Sequence, residues 1–501
     1  MTEHPEPSFA IIGAGFGGIG MAIELRRNGY RDVTIFEARD GVGGVWRANT
    51  YPGAACDVPS HLYSFSFDLN PEWSRKFSPQ PEILSYLEGV AERYGLASHL
   101  RCSTRIVRAE WDEEHARWQL TTDGGTIHRA DVLVAATGQL RLPRYPDLPG
   151  RGDFRGTQFH SAEWNHDHDL SGERVAVIGT GASAIQFVPE IVDRVSRLTV
   201  FQRSAPWVLP KPDRAFTEHE KERFRRHPLL MRAYRQSIFT RFDARFTLLF
   251  GARAPGARLF EVAQSKYLAA VVKDPDLRRE LTPTDPPGCK RLLISNDWYH
   301  ALVEPHVEVV VDPVERITGT GVRTTSGRDL EVDTIIWGTG FRASDFLVPM
   351  DVIGRDGRSL HRDWDAGAEA HLGMTVPGYP NLFLLYGPNT NLGHNSILAM
   401  IESQIAYIAQ AAALLRDSDV RSVDVRPQVC RSYNDALQAE LADTVWAAGC
   451  DSWYTTDDGR NTQNWSGRAG TYRRRTRYFD PADHVLTRSP LRPRATSAPA
   501  G

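Results

Sequence analysis

Phe9-Ala10-Ile11-Ile12-Gly13-Ala14-Gly15-Phe16-Gly17-Gly18 is a short apolar run that breaks into a Gly-x-Gly-x-x-Gly turn. The run has no polar alternation and reads as a buried parallel strand. Residues 19–27 carry a helical pattern, and Val33-Thr34-Ile35-Phe36 is a second strand ended by Glu37. Strand, glycine turn, helix, strand and acid, in that order, lift a glycine motif above chance and predict a dinucleotide site. Gly13, Gly15 and Gly18 let the backbone approach a pyrophosphate at a helix N-terminus. Glu37 can accept hydrogen bonds from both hydroxyls of an adenosine ribose. That suits FAD or NAD and repels a 2′-phosphate.

A second unit of the same kind follows. Val175-Ala176-Val177-Ile178 leads into Gly179-x-Gly181-x-x-Ala184, and the unit closes on Leu198-Thr199-Val200-Phe201. Here no carboxylate ends the second strand; Gln202-Arg203-Ser204 stands in its place. An arginine there suits a 2′-phosphate, as does a lysine from elsewhere, so NADPH is favoured over NADH. Two further apolar runs end in Thr137-Gly138 and Thr339-Gly340, and read as strands returning to the two units. The expected fold is α/β, with two Rossmann-like dinucleotide-binding domains, one for FAD and one for NADP.

The pattern divides the chain. Residues 1–148 read as the first part of the FAD domain and 149–214 as the first part of the NADP domain. Residues 215–288, charged and aromatic with helical spacing, read as a mainly helical insertion ending in a Pro/Gly breaker cluster. Residues 289–345 complete the NADP domain. Residues 346–487 complete the FAD domain, with a strand at 382–387 and a long helix at 397–415. Residues 488–501, rich in Arg, Pro, Ser and Ala, read as a disordered tail.

Composition narrows the function. A chain of 501 residues with 41% hydrophobic and 24% charged residues is long enough for a full core without disulfide staples. A net charge of −3 gives no reason to expect a nucleic-acid partner. Only six of the 59 basic residues are lysine, which reads as a compositional habit. The five scattered cysteines argue against a disulfide framework, a zinc site and a dithiol redox centre. His166-Asp167-His168 reads as a wet loop, so no metal site is expected. The acidic, proline-punctuated start is not a signal peptide, and the glycine-broken run at 9–25 is not a membrane span. The basic amphipathic stretch at 221–245 could lie on a membrane but reads as a solvated helix face. The expectation is a cytoplasmic protein without stable membrane insertion. FAD and NADPH on one chain define a flavoprotein that takes hydride from a pyridine nucleotide. Its electron acceptor is left open by these motifs: oxygen, a quinone or a protein.

Between the two glycine turns lies Phe154-x-Gly156-x3-His160-x3-Trp164. In this segment the chain resembles the class B flavin monooxygenases, and most of all the Baeyer–Villiger monooxygenases. Their fingerprint closes on Pro or Asp, where this chain has Asn165. Gly43-Gly44-Val45-Trp46, Tyr51-Pro52-Gly53 and Cys56-Asp57 look like the flavin-side loop of that family. Ala136-Thr137-Gly138-Gln139 and Gly338-Thr339-Gly340-Phe341 are similar to its Thr-Gly turns, with Trp337-Gly338 replacing the more usual Ala. Gln202-Arg203-Ser204 resembles its NADP-phosphate motif, which more often ends in Thr, and Cys289-Lys290-Arg291 resembles its Lys-Arg pair.

The resemblance implies an NADPH- and O2-dependent conversion of a small-molecule ketone to an ester or lactone, through a flavin C4a-peroxide. It implies that Lys290 reaches the NADPH 2′-phosphate with Arg203. Arg291 would sit beside flavin and nicotinamide and hold the peroxide's negative charge, and Asp57 would orient Arg291. Phe154, Gly156, His160 and Trp164 would form a hinge that couples NADP binding to flavin chemistry without touching substrate. Two other readings compete: oxygenation of sulfur or nitrogen, and a non-catalytic flavin-binding redox or interaction protein. Intact Asp57, Lys290 and Arg291 speak against the last.

Overall fold

The computed structural model describes residues 6–251, 254–449, 452–456 and 458–488. All but the first residue of the expected C-terminal tail lies outside them. Strand Phe9–Ile12 sits at the centre of a five-stranded parallel sheet. Val33–Phe36 and Leu100–Arg101 lie on one side of it, Val132–Ala135 and Leu382–Leu384 on the other. Every residue of Phe9–Ile12 and Val132–Ala135 is buried, which explains why neither run alternates. Helix Phe16–Arg27 covers one face and meets helix Ile397–Asp417. Gly20 allows the approach, since a Cβ there would come within 2.9 Å of Ile405 and Phe65. Helix Ile397–Asp417 is long and apolar enough to cross a membrane, yet more than half of it is buried in this core.

The second parallel sheet runs in the order Val307–Val310, Arg197–Phe201, Arg174–Ile178, Thr334–Trp337, Thr157–His160. The fold is therefore α/β with two Rossmann-like units. Each parallel sheet buries its other face under a smaller sheet. Strands Asp351–Ile353, Ile106–Asp112, Arg117–Thr122 and Ile127–Ala130 cover the first, with Trp111, Trp118 and Leu120 packed near Ala10, Ile12 and Phe36. The hairpins of Val314–Thr318, Gly321–Thr324 and Asp329–Glu331 cover the second, where Ile317 and Val322 share a core with Ala176 and Ile178.

Residues 215–288 hold helices Glu218–Arg226, Pro228–Arg245, Ala257–Val271 and Pro275–Glu280, with a π-turn at Phe246–Phe250. Thr217 and Glu220 form a reciprocal capping box at the first of them. Phe224, Met231 and Ile238 join the core of the first sheet, so the apolar side of this basic stretch is used within the protein. The scattered cysteines argued against a disulfide framework, yet Cys289, fully buried beside Lys290, is disulfide-bonded.

Candidate active site

The C-terminal ends of both parallel sheets open into one cavity of about 1920 Å³. Gly13, Gly15, Glu37, Gly44, Asp57, Gln139, Gly179, Gly181, Arg203, Ser204, Lys290 and Arg291 all line it. Both glycine turns make the same contact. Gly13 has φ +105°, and a Cβ on it would stand 2.5 Å from the Ala136 carbonyl oxygen of the Thr137-Gly138 return. Gly179, with φ +109°, meets the Gly338 carbonyl before Thr339-Gly340 in the same way. Each Thr-Gly run thus presses against the turn of its own unit. Gly181 is different: no protein atom lies within 4 Å of where its Cβ would be, and the residue lines the cavity. The protein alone does not require glycine there, whereas a close-approaching pyrophosphate does.

Glu37 is buried at the end of Val33–Phe36. One carboxylate oxygen accepts from the Ala14 amide at 2.8 Å and the other from the Arg39 amide at 2.9 Å, which aims the group along the first turn. Gly44, at φ +55°, comes so close to Gly15 that a Cβ would lie 2.8 Å from its Cα. Helix Val45–Ala48 follows, and the Trp46 indole donates to the Tyr63 hydroxyl at 3.2 Å. The Gln139 side-chain amide donates to the Tyr386 carbonyl at 3.1 Å, while its oxygen is buried without a protein partner. These residues fit a flavin dinucleotide: fixed ribose acceptors, a crowded glycine corner and an unanswered acceptor at the wall.

Arg291 and Asp57 meet across the cavity from different halves of the chain. Arg291 precedes strand Leu293–Ile294, which pairs in parallel with Val208–Leu209; Asp57 lies in the loop after Tyr51. Arg291 donates to one oxygen of Asp57 from Nε at 2.9 Å and from Nη2 at 2.5 Å. The side chains keep 38% and 30% exposure and line the cavity. The Asp57 charge raises the Arg291 pKa above the ordinary guanidinium value and outweighs the effect of burial. Next to it, Lys290 Nζ lies 2.6 Å from Asp285 and donates to the Ser204 hydroxyl at 3.0 Å. The cation and the Arg203-Ser204 pair therefore converge, as a 2′-phosphate would need.

Comparison with known proteins decides what this arrangement belongs to. Residues 10–228 match the family model described as pyridine nucleotide-disulphide oxidoreductase. A Baeyer–Villiger monooxygenase of Pseudomonas aeruginosa is 46% identical, over 98% of this chain and 94% of its own length. One of Streptomyces coelicolor is 44% identical, over 99% of this chain and 96% of its own. The chain belongs to the Baeyer–Villiger monooxygenases. Solved structures agree: a closed cyclohexanone monooxygenase superposes with TM-score 0.87 at 27% identity, covering 96% of this chain and 99% of that one. A protein named OTEMO, in complex with FAD and NADP, gives 0.87 at 26% identity, covering 96% and 100%.

The family fingerprint lies beside the cavity. Phe154 is buried under the second sheet, and a Cβ on Gly156 would overlap the Asp333 carbonyl oxygen. His160, fully buried, ends strand Thr157–His160 between the rings of Tyr145 and Phe341. Its Nδ1 accepts from the Ala162 amide, and burial lowers its pKa. Trp164 packs on Phe159 and on Phe187 of helix Ala184–Ile191. His166 and His168 diverge, one to Thr50 and the other to Glu173 and Thr334.

Other cavity residues have no sequence signal. Tyr386, at φ +60°, hydrogen-bonds Asn391 at 2.7 Å; Gln186 reaches across from the second unit. Trp446, Tyr454 and Trp465 share one buried aromatic cluster with Trp453 packed against it, and Trp453 and Tyr454 also line the cavity.

Proposed function

We infer that this monooxygenase uses FAD, NADPH and O2 to convert a small ketone into an ester or lactone. The observation that carries the reading is the Arg291–Asp57 pair, held where the two dinucleotide turns converge. Gly13, Gly15, Gly18 and Glu37 would hold the FAD, with Gly44, Val45, Trp46 and Gln139 around its flavin end. Gly179, Gly181, Ala184, Arg203, Ser204 and Lys290 would hold the NADPH. Bound and reduced, the flavin supplies the oxygen activation; the protein supplies position and field.

Arg291 is the anion holder. Attack on a ketone needs a deprotonated oxygen nucleophile, and a guanidinium stabilises negative charge without readily releasing a proton. The same charge stabilises the alkoxide that develops on the ketone oxygen. Asp57 accepts from two Arg291 nitrogens, so the guanidinium plane is set and its remaining donors are free to face the cavity. Leu392, Leu398, Ile401 and Trp453 add an apolar lining that suits an uncharged ketone and excludes water. His160 and Trp164 act through packing at the edge of the second unit, as a hinge.

With FAD bound, NADPH bleaches the flavin faster than NADH. Replacing Lys290 by Ala removes the charge at Ser204 and raises the KM for NADPH by about tenfold to a hundredfold. The KM for NADH stays near its parent value. Stopped-flow bleaching with both nucleotides checks this, and an equal rise for the two would remove Lys290 from phosphate recognition. The function itself is tested by a panel of ketones and sulfides, with products identified by mass. Ester from a ketone is expected; sulfoxide alone, with every ketone unchanged, would move the protein to heteroatom oxygenation.

A further inference from the structure

Helix Ala184–Ile191 starts directly after the second glycine turn, and the Ile185 amide donates back to the Gly181 carbonyl at 3.1 Å. One residue further on, the Gln186 amide donates to the Ser183 carbonyl at 3.0 Å, so Gln186 is rigidly tied to the turn. Its side chain leaves its own unit. The Tyr51 hydroxyl donates to Gln186 Oε1 at 2.9 Å, and the Ala55 amide reaches the same oxygen at 3.4 Å. Gln186 Nε2 donates to the Ala55 carbonyl at 3.0 Å. The side-chain amide thus pairs with both sides of the Ala55 peptide, as a strand neighbour would. The backbone fits as closely: Gly53 has φ +75°, and a Cβ on it would stand 2.6 Å from the Gln186 carbonyl oxygen.

Ala55 lies two residues before Asp57. We propose that Gln186 is a positioning residue through which occupation of the second dinucleotide turn fixes the loop carrying Asp57, and with it Arg291. A nucleotide on Gly179, Gly181 and Ser183 orders the first turn of the helix; Gln186 passes that order to residues 51–57 of the other unit. A bound nucleotide thereby stiffens the loop that holds the Asp57–Arg291 pair. Serving merely as interface packing would need neither the paired bonds to one peptide nor a glycine opposite the helix backbone. This inference rests on the FAD and NADPH assignment above.

The test uses the full chain loaded with FAD. NADP+ is titrated in, with binding followed by calorimetry and the flavin environment by its visible absorbance. The same titration of Arg291→Ala defines the part of the spectral change that depends on Arg291. In Gln186→Glu, which keeps the size but cannot donate to the Ala55 carbonyl, NADP+ still binds. The Arg291-dependent change is about fivefold smaller than in the parent protein. Gln186→Ala behaves alike, and Tyr51→Phe, which removes one of the three bonds, gives a smaller loss. A full-sized change in the Gln186 variants with NADP+ bound would overturn the proposal, as would a parent protein with no Arg291-dependent change. Should the Gln186 variants lose FAD, Tyr51→Phe decides, and an unaltered spectrum there overturns it. A parent protein that binds no NADP+ would instead sink the cofactor assignment.

Discussion

Arg291→Ala keeps its FAD and is still bleached by NADPH, but it forms ester from a ketone about a hundredfold to a thousandfold more slowly. The site makes this an effect on chemistry more than on folding. Arg291 and Asp57 are each about a third exposed to the cavity, so the carboxylate left behind is hydrated and not stranded in a core. What disappears is the guanidinium that Asp57 orients at the cavity wall. Without it the activated oxygen has no fixed counter-charge and leaves as hydrogen peroxide. NADPH consumption therefore continues while its coupling to product collapses. Arg291→Lys separates charge from geometry: an ammonium restores the charge but cannot present two fixed donors to one oxygen of Asp57. Its coupling falls between the parent and the alanine variant. Product chromatography together with a peroxide assay reads both quantities, and ester at the parent rate from Arg291→Ala would place the anion holder elsewhere.

Gly18→Ala yields protein that retains no FAD and is destabilised by more than about 4 kcal/mol. Helix Phe16–Arg27 descends onto strand Phe9–Ile12 so steeply at this point that a Cβ on Gly18 would overlap the Gly13 carbonyl oxygen. The neighbour is backbone, and Gly13 is itself confined at φ +105° against the Ala136 carbonyl, so nothing nearby can give way. The turn has to open, and the amides that would face the pyrophosphate turn with it. Gly181→Ala is the contrast. Its Cβ meets no protein atom, so thermal stability stays near the parent value while NADPH binding weakens. Denaturation curves and bound flavin absorbance measure both variants. Gly18→Ala with a parent-like midpoint and full FAD would show that the turn is looser than its packing indicates.

Both glycine turns, the acid at Glu37 and the two Thr-Gly returns were legible in the sequence because each is a local device. A buried parallel strand, a φ that excludes side chains and a following helix all leave their marks within a dozen residues. The small sheets at 106–130 and 314–331 were not read, since their strands are mixed in polarity and bury only the side that covers a parallel sheet. Arg291 and Asp57 were reachable through the family resemblance, but 234 positions separate them and only the fold shows them bonded. Gln186 carries no motif of its own. Its partner is the peptide of Ala55, and a backbone partner writes nothing into the sequence.

The most direct measurement is the mass of the product formed from a ketone by the FAD-loaded protein with NADPH under isotopically labelled dioxygen. An ester or lactone carrying one labelled oxygen is expected from the parent protein and is almost absent with Arg291→Ala. Unchanged ketone from the parent protein, with NADPH consumed and all labelled oxygen recovered as hydrogen peroxide, would contradict it.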